Sequence, residues 1–446
     1  MQLIAAKEQG VWKRGIVVLL CLAPFFFLSY GMANHYAASL SAVPSIAYAW
    51  ERHIPLWPWT IVPYWSIDLF YGLSLLLCWS RFELRQQALR LVSAQLMAVI
   101  CFVLWPLKFS FERPALDGFF GLWFDALMGF DKPFNQAPSL HIVLLLILWD
   151  FYRRHVPQRW LGLVHLWCVL IGLSVLTTWQ HHFIDIPTGL LAGALCMWLF
   201  PWCGKSPFAR DAASIRTAKH VRLAVLYLAA VAVCCAMAWA GGGAWLWLLY
   251  PAVSLLLVAL AYLTARPHFF QKQSDGAMTV ASQLLFAPYG VGAWINSRLW
   301  TRAHHEDSLV CEHHGVKLHI GRIPAPRHAA AYDALFDCAA EMPVAQHQAY
   351  AQALSLDLIP LNAGQLAIAA QRLERLLQSA RPHSVLVFCA LGYSRSAAVL
   401  CAWLMTSGMA DSAEVAVKII QRARPWVVLQ PEQLEQLQLL KNEGTR

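Results

Sequence analysis

Apolar runs dominate the first 265 residues. Eight stand out, at roughly 15–33, 62–79, 88–107, 139–152, 160–178, 183–202, 221–240 and 243–264. A bilayer core ~30 Å thick takes about 20 apolar residues in a helix. Each run therefore predicts a membrane helix, the fourth being short for one. After residue 265 charges, His and Gln appear. Residues 266–305 read as a connector, and its middle, VASQLLFAPYGVGAWINSRLW, is apolar and aromatic but interrupted by Pro288 and Gly290. It predicts an interfacial segment lying against the membrane or the next domain, with a ninth span as the alternative. From Lys317 short β-like runs alternate with amphipathic helices. VKLHIG, ALFDCAA, LSLDLIP and SVLVFC predict strands, and 361–379, 395–407, 412–423 and 431–441 predict helices. That alternation predicts a small α/β domain. The expected fold class is multi-domain: a polytopic all-α membrane bundle of about eight spans, then the α/β domain. The expected divisions are 1–202, two further spans in 203–265, the connector 266–305, and 306–446.

Composition supports the membrane reading. The chain is 59% hydrophobic, has 21 Trp and only 13% charged residues, whereas soluble domains carry about 25%. The net charge of +9 suits an anionic membrane rather than nucleic acid, because the basic residues flank the apolar runs. With the N-terminus inside, the inner segments hold fourteen Lys and Arg: Lys7, Lys13, Arg14, Arg81, Arg85, Arg90, Arg153, Arg154, Arg159, Lys205, Arg210, Arg216, Lys219 and Arg222. The outer loops hold four, Arg52, Lys108, Arg113 and Lys132. The bias predicts a multi-pass protein of a plasma membrane of bacterial inner-membrane type, with the N-terminus and the C-terminal domain in the cytoplasm. The first run is long and no small-residue cleavage site follows it, so it reads as an uncleaved span. The twelve cysteines show no disulfide or zinc spacing.

The stretch CALGYSRS, from Cys389 to Ser396, joins the last predicted strand to a helix. Successive N–H groups of Ala390, Leu391, Gly392, Tyr393 and Ser394 there make an anion cradle, reinforced by the helix dipole. Arg395 closes it with a fork that matches phosphate oxygens. The same field lowers a thiol pKa, making Cys389 a nucleophile.

These residues resemble the dual-specificity phosphatase family, over roughly residues 309–442. The resemblance rests on C-x-x-x-x-x-R followed by Ser, on LHIGRIP as an opening strand and on RARPWVVLQPEQLEQL as a closing helix. It implies that Cys389 forms a phosphocysteine, that Asp357, 32 residues upstream, protonates the leaving oxygen, and that Ser396 helps the thiolate depart. The family usually places a loop-supporting His before the cysteine, where this chain has Phe388.

A second constellation spans residues 108–185, in KFSFERP, APSLH and WQHHFID. Each patch falls at the predicted outer end of a span, where ionisable groups are functional candidates. His181 and Asp185 are four apart, on one helical face, so Asp185 can hold the ring and leave its other nitrogen free to attack. His141 is a candidate general acid, and Lys108 and Arg113 offer positive charge. His182 reads as an interfacial residue. Asp117, Asp125, Asp131 and Lys132 read as solvated loop charges.

The three patches resemble the type 2 phosphatidic acid phosphatase superfamily, over about residues 60–202, which implies a six-helix core. By that resemblance His181 is the nucleophile, Asp185 its orienter and His141 the acid, with Lys108, Arg113, Ser139 and Pro138 on the phosphate. The Lys-to-Arg interval is short, and the expected Ser-Arg pair reads Ser174 and Val175. The S-L-H and H-H-F-I-D forms are similar to the sphingomyelin synthase branch, which transfers phospho-headgroups.

The expectation is a membrane phosphatase with a histidine site outside and a cysteine site inside, acting on phosphomonoesters of lipids or of phosphoproteins. A headgroup transferase and a non-catalytic phospholigand sensor are the alternatives. Neither mechanism requires a metal or another cofactor.

Overall fold

The structure, a computed structural model, describes residues 7–129, 131–209, 216–380 and 382–444; Arg210 lies outside them. The chain divides into two compact units, Met1–Trp202 and Cys203–Arg446.

All eight apolar runs are helical. The first unit holds α1 (Val11–Ser39), α2 (Ile61–Leu76), α3 (Arg81–Leu104), α4 (Gly118–Met128), α5 (Leu140–His155), α6 (Leu161–Thr177) and α7 (Asp185–Leu199). The second begins with α8 (Ala218–Gly241) and α9 (Leu249–Leu263). Among the described residues five helical segments are long and apolar enough to cross a membrane: Val11–Ser39, Arg81–Leu104, Gln158–Thr177, Ala218–Gly241 and Gly243–Leu263. The helices α2, α5 and α7 have 16, 16 and 15 residues, or about 24 Å at 1.5 Å per residue. The short fourth run, α5, is buried continuously from Ile142 to Leu148, as expected of a helix that is apolar all round.

One basic residue counted for orientation serves another purpose. Arg90 lies inside α3 at 2% exposure and pairs with Asp150 of α5 at 2.9 Å. Its Nε donates to Phe200 O at 2.8 Å. It belongs to a buried ion pair within the bundle and is not a loop charge.

In the connector, α10 (Val280–Trp300) is one unbroken helix. Pro288 was expected to interrupt it, since proline removes the N–H that would bond the carbonyl four residues back. That carbonyl, Leu284 O, accepts instead from Tyr250 Oη of α9 at 2.5 Å. The helix continues because its neighbour supplies the missing donor. Upstream of α10, Lys272 is buried and its ammonium pairs with the buried Asp337 carboxylate while donating to Ala339 O at 2.8 Å. The connector is thus part of the α/β core.

The strands are β1 (Ser308–His313), β2 (Val316–Arg322), β3 (Ala334–Ala339), β4 (Ala349–Ser355) and β5 (Ser384–Cys389). Their order is β1-β2-β5-β3-β4. Only β1 runs antiparallel, on the edge against β2. The helices are α11 (Pro326–Ala329), α12 (Ala363–Ala380), α13 (Arg395–Thr406), α14 (Ala413–Ala423) and α15 (Pro431–Gly444). Three of the four expected strands fall where the pattern put them. The third, LSLDLIP, is displaced. The strand is Ala349–Ser355, and Asp357 lies on the loop beyond it, where Leu358 adopts φ 60°. β1 was not anticipated because its outer positions are half-exposed and carry Glu312 and His313.

Candidate active site

The central strand β5 delivers Cys389 to the start of α13, as in open α/β sheets where ligands bind beyond the carboxyl ends of strands. Cys389 is 3% exposed. Its Sγ accepts from the Gly392 N–H at 3.2 Å and from the Ser396 hydroxyl at 3.4 Å. Burial alone would raise the thiol pKa, but the Arg395 guanidinium and the hydrogen bonds from Ser396 and Gly392 override it, and the net shift is downward. These donors stabilise the thiolate, the reactive form.

The loop fixes this arrangement through its backbone. Gly392 has φ 73°, and a Cβ there would lie 2.4 Å from Gly321 O of β2. Only glycine fits both constraints. Phe388, in place of the family's His, is fully buried beside Ile323, Leu335 and Met342. Support for the loop comes from elsewhere. Ser297 Oγ of α10 donates to Ala390 O at 2.6 Å. Arg424 Nε donates to Gly392 O at 3.1 Å. Ser394 Oγ donates to Gln433 at 2.9 Å, and Tyr393 O accepts from Val428 N at 3.1 Å.

Arg395 sits between two carboxylates. Glu341, beyond β3, takes it bidentately at 2.6 and 2.9 Å. Asp357 Oδ1 lies 3.1 Å from the same Nη2. Despite its burial, Glu341 is held ionised by Arg395, its pKa below the usual range. Asp357 goes the other way. Loss of hydration raises its pKa and outweighs Arg395, and the Glu341 charge adds to the rise. A carboxyl tuned upward and a thiol tuned downward, each facing Arg395, are the combination that acid and nucleophile roles call for.

The second constellation, residues 108–185, lies in the first unit. There His181 Nδ1 lies 3.2 Å from Asp185 Oδ2, as their spacing implied. His141 Nε2 lies 2.9 Å from Tyr64 O. Arg113 Nη2 donates to Trp179 O at 2.9 Å, just before this pair. Lys108 is exposed, and Ser139 caps α5, accepting from Ile142 N at 3.4 Å. Two readings are corrected. His182 is no interfacial residue: it is 1% exposed, with Nδ1 2.9 Å from Glu51 and Nε2 3.0 Å from Ser110 Oγ. Asp131 is no solvated charge: it is buried and accepts from Tyr30 Oη at 2.8 Å. Asp117, Asp125 and Lys132 are exposed as expected.

No sequence signal marks Glu341, Ser297, Arg424 or Glu51. Each is an ordinary residue in an ordinary segment, and no local spacing ties it to its partner.

Residues 337–443 match the family model for the dual specificity phosphatase catalytic domain. Solved structures similar to this region include human DUSP28, at 21% identity over 31% of this chain and 95% of that one, TM-score 0.27. PTPMT1 is 17% identical over 31% and 96%, TM-score 0.26. A leucine rich repeat and phosphatase domain containing protein from Entamoeba histolytica is 13% identical over 32% and 96%, TM-score 0.26. No curated protein matches the chain. The chain carries a dual specificity phosphatase catalytic domain and is a phosphatase.

Proposed function

We propose that Cys389 is the nucleophile of a phosphomonoesterase. The Cys389 thiolate attacks phosphorus while the bond to the leaving oxygen breaks, and Asp357 gives that oxygen its proton. The cradle N–H groups from Ala390 to Ser394 and the Arg395 fork hold the equatorial oxygens. Water then attacks the phosphocysteine, Asp357 takes the proton from it, and Ser396 donates to the departing sulfur. The observation that carries this reading is the pair of donors on Cys389 Sγ, from Gly392 and Ser396. The test is phosphate release from para-nitrophenyl phosphate by the full chain in detergent. Cys389→Ser is expected to abolish it, and a fully active Cys389→Ser protein refutes the assignment.

A second phosphoryl-transfer site in the first unit, with His181 as nucleophile, Asp185 orienting it, His141 as acid and Arg113 on the phosphate, is supported by the His181–Asp185 contact at 3.2 Å. Release of phosphate from phosphatidic acid that survives Cys389→Ser and disappears on His181→Ala would bear it out. Labelled product lipid in place of free phosphate would identify a headgroup transferase.

A further inference from the structure

The phosphatase site is walled on one side by membrane-type helices. A cavity of about 330 Å³ adjoins Glu341, Asp357 and Ala390, within the range of ligand pockets. Its other lining comes from α8, α9 and α10, with Tyr227, Leu255, Tyr289, Gly292 and Asn296 among it. The α8 and α9 segments are among those long and apolar enough to cross a membrane. They are also tied to the catalytic loops. Tyr262 Oη of α9 donates to Asp357 O at 3.0 Å. Tyr227 packs against Tyr262 and Tyr289 with ring centroids 5.5 and 5.9 Å away.

The helix α10 has two faces. Gly292 and Asn296 look into the cavity, and a Cβ on Gly292 would meet nothing within 4 Å. On the other side Val291, Trp294 and Ile295 are 59%, 53% and 46% exposed. The Arg298 guanidinium stacks 5.2 Å from the Trp294 ring. That guanidinium also donates to Ile323 O at 3.1 Å. Exposed Trp and aliphatic residues at i, i+3 and i+4 are what a helix at a bilayer surface presents. A soluble phosphopeptide needs no such wall, whereas an acyl chain entering between α9 and α10 would be lined by it.

We infer that the Cys389 site, if catalytic as proposed above, acts on the phosphomonoester headgroup of a lipid that stays in the bilayer and reaches Cys389 along the α9–α10 groove. The test uses the full chain reconstituted in phosphatidylcholine vesicles, in a His181→Ala background. Only phosphate release removed by Cys389→Ser is counted. Phosphatidic acid in the vesicles, glycerol 3-phosphate and a phosphotyrosyl peptide are compared. The lipid is expected to exceed both soluble substrates in kcat/KM by at least about tenfold, 1.4 kcal/mol. Gly292→Leu places a side chain in the cavity and raises helix propensity, so the fold is retained, and an unchanged melting temperature verifies this. It is expected to lower the lipid-to-glycerol-phosphate ratio by about tenfold. A preference for the peptide, a preference for glycerol 3-phosphate, or a ratio unmoved by Gly292→Leu overturns the inference. Hydrolysis of para-nitrophenyl phosphate that ignores Cys389→Ser overturns the catalytic reading instead.

Discussion

Asp357 and Cys389 are shifted in opposite directions, and the pH profile of the reaction follows. The thiolate fraction of Cys389 grows as pH rises through a pKa held below the usual thiol range. The acid form of Asp357 is lost as pH rises through a pKa held above the usual carboxyl range. The rate therefore climbs at lower pH than an ordinary thiol would allow and falls where Asp357 ionises. Asp357→Asn is expected to remove the falling limb of kcat/KM and to lower kcat by about 10²-fold on substrates with poor leaving groups. A falling limb that survives in the variant excludes Asp357 as the acid. Glu341 has a different task. Its bidentate hold on Arg395 is buried, with side-chain exposures of 3% and 4%. Glu341→Gln strips Arg395 of its main counter-charge and is expected to cost about 3–5 kcal/mol, read by thermal unfolding. The split between these two carboxylates also marks what the sequence could reveal. Cys389, Gly392, Arg395 and Ser396 share one loop, so their spacing is legible as chemistry. Glu341 lies 54 residues from Arg395, and nothing local distinguishes it from a surface acid.

At the scale of elements, continuous apolar runs located α1–α3 and α5–α9, and periodicity located most of the α/β domain; the eleven-residue apolar helix α4 (Gly118–Met128) was missed because it is too short for a span and carries Asp125. The pattern also failed where a contact between elements overrode a local signal. Pro288 reads as a break, yet α10 runs on because Tyr250 of α9 bonds the orphaned Leu284 carbonyl. Tyr250→Phe leaves that carbonyl unpaired at a cost of about 1–3 kcal/mol. The expected outcome is faster amide exchange around residues 284–289 with α9 otherwise intact, and unchanged protection there would mean that the hydroxyl is dispensable. The same lesson holds for His182. Next to His181 it looks out of phase and dispensable, but Glu51, 131 residues away, takes its Nδ1. Only the packing of the 49–53 turn against the 179–185 segment brings that pair together.

At the scale of the whole chain, the phosphatase domain does not end at its first strand. Matching residues begin at 337, and the alternation of strands and helices suggested a boundary at 306, with the change in composition earlier, near 265. Yet Asp337, fully buried in β3, takes its cation from Lys272 and further hydrogen bonds from Tyr350 Oη at 2.9 Å and Ala339 N at 2.8 Å. Ser297 braces the catalytic loop from α10. A fragment of residues 306–446 keeps the strands but strands the Asp337 carboxylate without its partner. Breaking such a pair costs about 3–5 kcal/mol, a large part of the 5–15 kcal/mol that holds a domain together. The short fragment is therefore expected to unfold at a much lower temperature in detergent than one of residues 266–446, and to hydrolyse para-nitrophenyl phosphate more slowly because Ala390 loses its brace. Replacing both the charge and the need for it separates the two effects. Asp337→Leu in the short fragment removes the stranded charge and is expected to recover part of the stability, less the cost of the Tyr350 and Ala339 donors it leaves unpaired, while activity stays low for want of Ser297. Equal melting temperatures for the two fragments would mean that the connector is no part of the α/β core, and that the apolar helices and the phosphatase domain are joined in sequence only.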